Sequence, residues 1–161
     1  MDLHEKLFYI RKEISQKKHP MEFDPLLKAR NCYAYALGSE FRDSLTNGDD
    51  WIFNLGTMGG IIGFPRTLEE AKVAFLKDMA AIGINCRQSY CDEKLKKEEW
   101  RVMLFYDTYF RDDFHIIRQD IDECWSHKKG IVGEIARIDG YPEEASKYDL
   151  VGCFALKVIR E

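Results

Sequence analysis

At 161 residues the chain has room for one hydrophobic core but not comfortably for two, because a chain of this size buries roughly two-thirds of the surface its unfolded form exposes. With 45% hydrophobic and 32% charged residues it is neither disordered nor low-complexity. Its 24 basic and 28 acidic residues are interspersed, and the net charge of −4 gives no electrostatic support for binding nucleic acid or an anionic membrane.

The opening Met1-Asp2-Leu3-His4-Glu5-Lys6 has no apolar stretch after a basic start, and no run approaches 18 apolar residues. The expectation is a cytoplasmic chain without a secretory signal or membrane span. Five cysteines in that setting are expected to be reduced thiols, the odd count arguing against a complete disulfide framework. There is no internal repeat and no Pro/Gly/Ser-rich linker, so residues 1–161 read as a single domain.

Residues 3–16 place Leu7, Ile10 and Ile14 on one helical face and predict a packing helix. A connector over 21–30 leads to a short helix-like segment from about Cys32, rich in Ala and Tyr and ended near Gly38. Residues 46–65 carry Gly48, Gly56, Gly59, Gly60 and Gly63 and read as a long irregular loop, with 56–63 a candidate rim or lid. Thr67-Leu68-Glu69-Glu70 is a capping box opening a helix whose apolar stripe is Leu68, Ala71, Phe75, Met79 and Ile82, with Gly83 as its stop. The charge run 92–99 reads as a solvated connection. Strands are predicted over 100–106, 114–119, 124–127, 131–138 and 150–159, with a helical turn over 142–148. Helices followed by an antiparallel sheet make the fold class α+β.

Of four histidines, His4 and His19 fall in polar surroundings and are expected to be exposed. His115 and His127 are different. A hairpin turning at Asp120-Ile121-Asp122 and centred on Ile121 pairs Gln119 with Glu123, Ile117 with Trp125 and His115 with His127, putting both imidazoles on one face. Two adjacent imidazoles suit a base and the group that fixes its tautomer. Cys32 suits the nucleophile: it follows Asn31, a favoured N-cap, so helix N–H groups and the dipole favour its thiolate. Those N–H groups could also hold an oxyanion.

Plainer readings stand beside this one. From spacing alone Cys32 reads first as a small buried hydrophobe, and His115 by itself as a hydrogen-bonded strand histidine. Cys86, Cys124 and Cys153 read as core, while Cys86-x4-Cys91 with Cys124-x2-His127 has the spacing of a Cys₃His zinc site.

Three ordered motifs carry a resemblance: Asn31-Cys32-Tyr33-Ala34-Tyr35-Ala36; Asp113-Phe114-His115 with Arg118-Gln119; and Trp125-Ser126-His127-Lys128 with Gly130. Together with Val151-Gly152-Cys153-Phe154 the chain resembles papain-like cysteine hydrolases of the NlpC type. Within them it is similar to a poorly characterised group of small bacterial and phage proteins. The resemblance implies a papain-like core over 31–157 behind an N-terminal helical extension over 1–30. It implies a triad of nucleophile Cys32, base His115 and orienter His127, and cleavage of a peptide or amide substrate through a thioester, with no cofactor and no metal. Asn31 and Tyr33 are candidates for the oxyanion or substrate site. An acyltransferase on the same core and a non-catalytic interaction module are the alternatives, and the motifs carry no information on oligomeric state.

Overall fold

In a computed structural model, which describes residues 1–42, 51–110, 113–139 and 147–160, the chain is α+β. Three α-helices, α1 (Leu3–Ser15), α2 (Cys32–Leu37) and α3 (Leu68–Ala81), lie among the described residues with a 3₁₀ turn at Trp51–Phe53. Six strands follow: β1 (Ile84–Ser89), β2 (Trp100–Tyr106), β3 (Phe114–Gln119), β4 (Trp125–Lys128), β5 (Ile135–Arg137) and β6 (Asp149–Val158). They form one sheet in the order β1-β6-β2-β3-β4-β5, every neighbouring pair antiparallel. No helix of the described residues is long and apolar enough to cross a membrane.

Local signals set the helix ends. Asp2 accepts from the Glu5 N–H to open α1, and Thr67 accepts from the Glu70 N–H to open α3. The Glu70 carboxylate reaches back to the Arg66 N–H rather than to that of Thr67. Asn31 caps α2 at the Ala34 N–H, and Gly38, at φ 71°, closes that helix in a left-handed conformation where a Cβ would be strained.

Every residue of β2 is buried, and its alternation sorts them onto two faces. Trp100, Val102, Leu104 and Tyr106 join Ile116, Phe154 and Leu156 in the main core, with Ile10 and Ile14 of α1, all of α2 after Cys32, and Ala71, Ala74, Phe75 and Met79 of α3. Met103 and Phe105 face the other way, into a smaller cluster with Ile117 and Cys153.

Several expectations are corrected. Residues 84–89 form β1, an edge strand whose Asn85, Arg87, Gln88 and Ser89 hide its pattern, because it pairs only with β6. Of 131–138 only Ile135–Arg137 is strand, the preceding residues forming a turn. Within the charge run, Glu99 is buried and held by the Arg87 guanidinium through Nε and Nη2 at 2.8 and 2.9 Å. His19 is buried, its ring stacked on Trp100 with centroids 3.9 Å apart. Cys91 and Cys153 form a disulfide: β1 pairs Ser89 with Cys153, which brings Cys91 alongside with its Cα 5.9 Å away. The five cysteines are therefore one disulfide and three thiols, of which Cys124 is exposed rather than core and Cys86 is half-buried against the main core. The helical turn expected at 142–148, and the glycine segment before Trp51, fall largely outside the described residues.

The glycine segment that is described is fastened down. Asp78 of α3, fully buried, accepts from the Gly56 and Gly59 N–H groups and from the Tyr33 hydroxyl at 2.7–2.8 Å. Gly59 lies so close to α3 that an added Cβ would stand 2.7 Å from Lys77 Cβ and 2.8 Å from its carbonyl carbon. Gly59→Ala is therefore expected to destabilise the fold by about 1–3 kcal/mol, read as a lower urea midpoint.

Candidate active site

Cys32 is the first residue of α2, where the residue as a whole is buried. Backbone hydrogen bonds from Ile116, Tyr33 and Cys32 itself favour the thiolate, as the helix start leads one to expect. Burial outweighs them, with the Asp113 charge adding to it, and pushes the thiol up to about 12. The rise from 9.0 is worth about 4 kcal/mol against the thiolate, so near neutral pH the group alone is a thiol. The expected lowering of this thiol is corrected: the short helix supplies donors, but a dry site costs the charge more than they return.

The Ile116 N–H that meets Cys32 belongs to the residue after His115, so the sulfur touches the sheet beside that histidine. The β3–β4 ladder covers only Arg118↔Ser126 and Gln119↔Trp125. That register differs from the expected one. Asp120 donates its N–H to the Cys124 carbonyl across a three-residue loop whose last member, Glu123, has φ 70°. The hairpin is thus centred on Asp122. A slip of two leaves the faces unchanged, so His115 and His127 remain on one side as diagonal rather than directly opposed neighbours. Their rings meet nonetheless: His115 Nε2 lies 2.7 Å from His127 Nδ1, the planes at 77°. That contact engages His115 through Nε2.

A cleft of about 390 Å³ is lined by Asn31, Cys32, Asn54, Asp113, Phe114, His115, Gly130, Ile131 and Tyr148. Cys32 and His115 share this wall, and His127 stands behind His115. The Asp113 carboxylate accepts from the Tyr148 hydroxyl and the Phe114 N–H. Lys128, buried, donates to the Ile131 and Gly133 carbonyls at 2.9 and 2.6 Å and shapes the turn that forms one rim. Asn54 and Tyr148 were not legible as site residues, since an isolated Asn and Tyr carry no spacing signal. Asp113 was legible only as part of its motif.

The remaining candidates sort differently. Asn31 lines the cleft, but its side chain already caps α2 and donates to the Phe53 carbonyl at 3.0 Å. The Tyr33 side chain lies in the core against Phe53, Phe75 and Phe114 with its hydroxyl on Asp78, and its backbone N–H meets the Cys32 sulfur. The 56–63 segment does not border this cleft, since residues 61–66 line a separate depression with Phe110. The zinc spacing does not assemble either. Cys91 is bound to Cys153, and among the described residues no three His, Cys, Asp or Glu side chains converge on a metal position.

No protein-family model, no curated protein and no solved structure matches the chain.

Proposed function

We propose that the chain is a papain-like cysteine hydrolase that cleaves peptide or amide bonds. The observation that carries this reading is the 2.7 Å His115–His127 hydrogen bond in the wall of a cleft that also presents Cys32. The helix-on-antiparallel-sheet architecture is compatible with such a core.

For His115 to accept a proton at Nδ1, the hydrogen shared by the two rings sits on its Nε2. His127 Nδ1 is then the acceptor and His127 keeps its own proton on Nε2. Because burial holds Cys32 as a thiol, its proton passes to His115 as the S–C bond forms, rather than beforehand. Negative charge moves to the substrate oxygen, which backbone N–H groups at the start of α2 stabilise. His115 returns the proton to the leaving nitrogen as the C–N bond breaks. It next takes a proton from water, which attacks the thioester and releases the acid and the Cys32 thiol. These side chains carry out the reaction without a cofactor.

Site-resolved alkylation with iodoacetamide, together with turnover of a panel of peptide and muropeptide amides, tests the proposal. Exposed Cys124 is replaced by serine to remove background. Cys32 is expected to take the label through the cleft and Cys32→Ala to abolish turnover. His115→Ala is expected to slow labelling by about 10²-fold or more near pH 7. It leaves only the rise as pH climbs toward the thiol's own value of about 12. Labelling of Cys32 that is indifferent to His115 between pH 5 and 8 overturns the assignment.

A further inference from the structure

Behind the imidazoles, on the opposite face of β3 and β4, lies a closed ring of buried polar groups. Arg118 Nε donates to Asp120 Oδ1 at 2.9 Å, and Arg118 Nη2 to the Tyr35 hydroxyl at 2.9 Å. Ser126 Oγ donates to Asp120 Oδ2 at 2.7 Å and lies 2.5 Å from the Tyr35 hydroxyl. Each hydroxyl has one hydrogen. Since that of Ser126 goes to Asp120, Tyr35 must donate to Ser126 while accepting from Arg118. The chain of donation runs Arg118 to Tyr35 to Ser126 to Asp120 and closes again through Arg118, each link polarising the next. Arg118 also donates to the Tyr35 carbonyl at 2.9 Å and stacks on the Tyr35 ring at 4.0 Å.

Three of the four corners of this ring lie a few residues from a member of the proposed triad. Tyr35 is three beyond Cys32 on α2, Arg118 three beyond His115 on β3, and Ser126 adjoins His127 on β4. Buried charge pairs are poor sources of stability compared with apolar side chains of the same shape. What directional hydrogen bonds supply is geometry, here between three elements that each carry one reacting or orienting group.

We infer that Tyr35, Arg118, Asp120 and Ser126 are positioning residues that lock the nucleophile helix to the two histidine strands. The inference rests on the reading of Cys32, His115 and His127 given above. None of the four lines the cleft, so they act through the backbones they hold.

The test uses the full chain with Tyr35→Phe and Ser126→Ala, each deleting one oxygen from the ring, and Ser126→Thr, which restores the hydroxyl. Cys32 alkylation by iodoacetamide is followed from pH 5 to 8 in folded protein, with the imidazole N–H resonances of His115 and His127 as a second readout. Tyr35→Phe and Ser126→Ala are expected to lower the His115-dependent rate by about 10- to 100-fold, as displacements near 1 Å do. They move the pH profile toward that of His115→Ala and shift the shared N–H resonance, while Ser126→Thr keeps the parent profile. Folded variants that melt earlier but retain the parent profile and resonance overturn the inference and leave the hydrolase reading standing. A parent protein whose labelling ignores His115 overturns both.

Discussion

Asp120→Ala is expected to destabilise the fold by about 3–5 kcal/mol, a large part of the total stability of a domain this size. Arg118 and Asp120 are both almost wholly withdrawn from solvent, so the alanine leaves a guanidinium in the dry interior without its counter-charge. Ser126 simultaneously loses the acceptor of its only hydrogen. Arg137, 3.7 Å from the Asp120 carboxylate but part-exposed, can turn to water and contributes little to the loss. Urea unfolding should show the midpoint falling with an unchanged slope. The contrast is Asp122→Ala. That carboxylate also pairs with Arg137, at 2.8 Å, but stands in solvent, and its removal should leave the midpoint nearly where it was.

Two buried groups should give the unfolding free energy opposing pH dependences. Burial lowers His19 to about 4, so the folded protein refuses a proton that the unfolded chain accepts at its ordinary 6.5. Stability from this residue is complete above 6.5 and falls by about 3 kcal/mol as pH drops through 4. Burial raises Asp78 from 3.8 to about 6, against the pull of its three hydrogen-bond donors. Here the folded protein binds the proton first, so stability rises by about 3 kcal/mol as pH falls from above 6 to below 3.8. In the parent these contributions nearly cancel between pH 4 and 6.5. His19→Phe, which keeps an aromatic ring against Trp100, should make the unfolding free energy climb on acidification relative to the parent. Asp78→Asn should make it decline. Equal slopes in parent and both variants would contradict the burial assigned to these side chains.

The parts of the fold legible in the sequence are those whose causes are local. Asn31, Thr67 and Gly83 punctuate helices through their own hydrogen bonds and backbone angles, and the run Trp100–Tyr106 declares β2 by its β-forming apolar residues. What escaped depends on distant partners. β1 is polar along most of its length and is a strand only because β6 lies beside it. His19 sits in a polar neighbourhood by sequence yet stacks on Trp100 in the core. The disulfide joins positions 62 residues apart, and counting cysteines could not reveal it.

The candidate site divides in the same way. The meeting of His115 and His127 was readable from a short hairpin because a slip of two preserves the face, even though the loop closes around Asp122. The helix start at Asn31-Cys32 was readable too, but not how dry the sulfur would be, since its surroundings come from β3 and the loops around it. Arg118 appeared only as a motif letter. Its reach across to Tyr35 depends on how α2 lies over the sheet, which no spacing reveals.

The strand order has a kinetic meaning. β2 to β5 run as a meander, each pairing with its neighbour in sequence, so that these four strands can zip up turn by turn. β1 has nothing to join until β6 arrives between it and β2, and closing so long a loop is a slow, nonlocal event. The seam between the local and nonlocal pairings runs along β6, and the Cys91–Cys153 bond staples that strand to the segment just after β1.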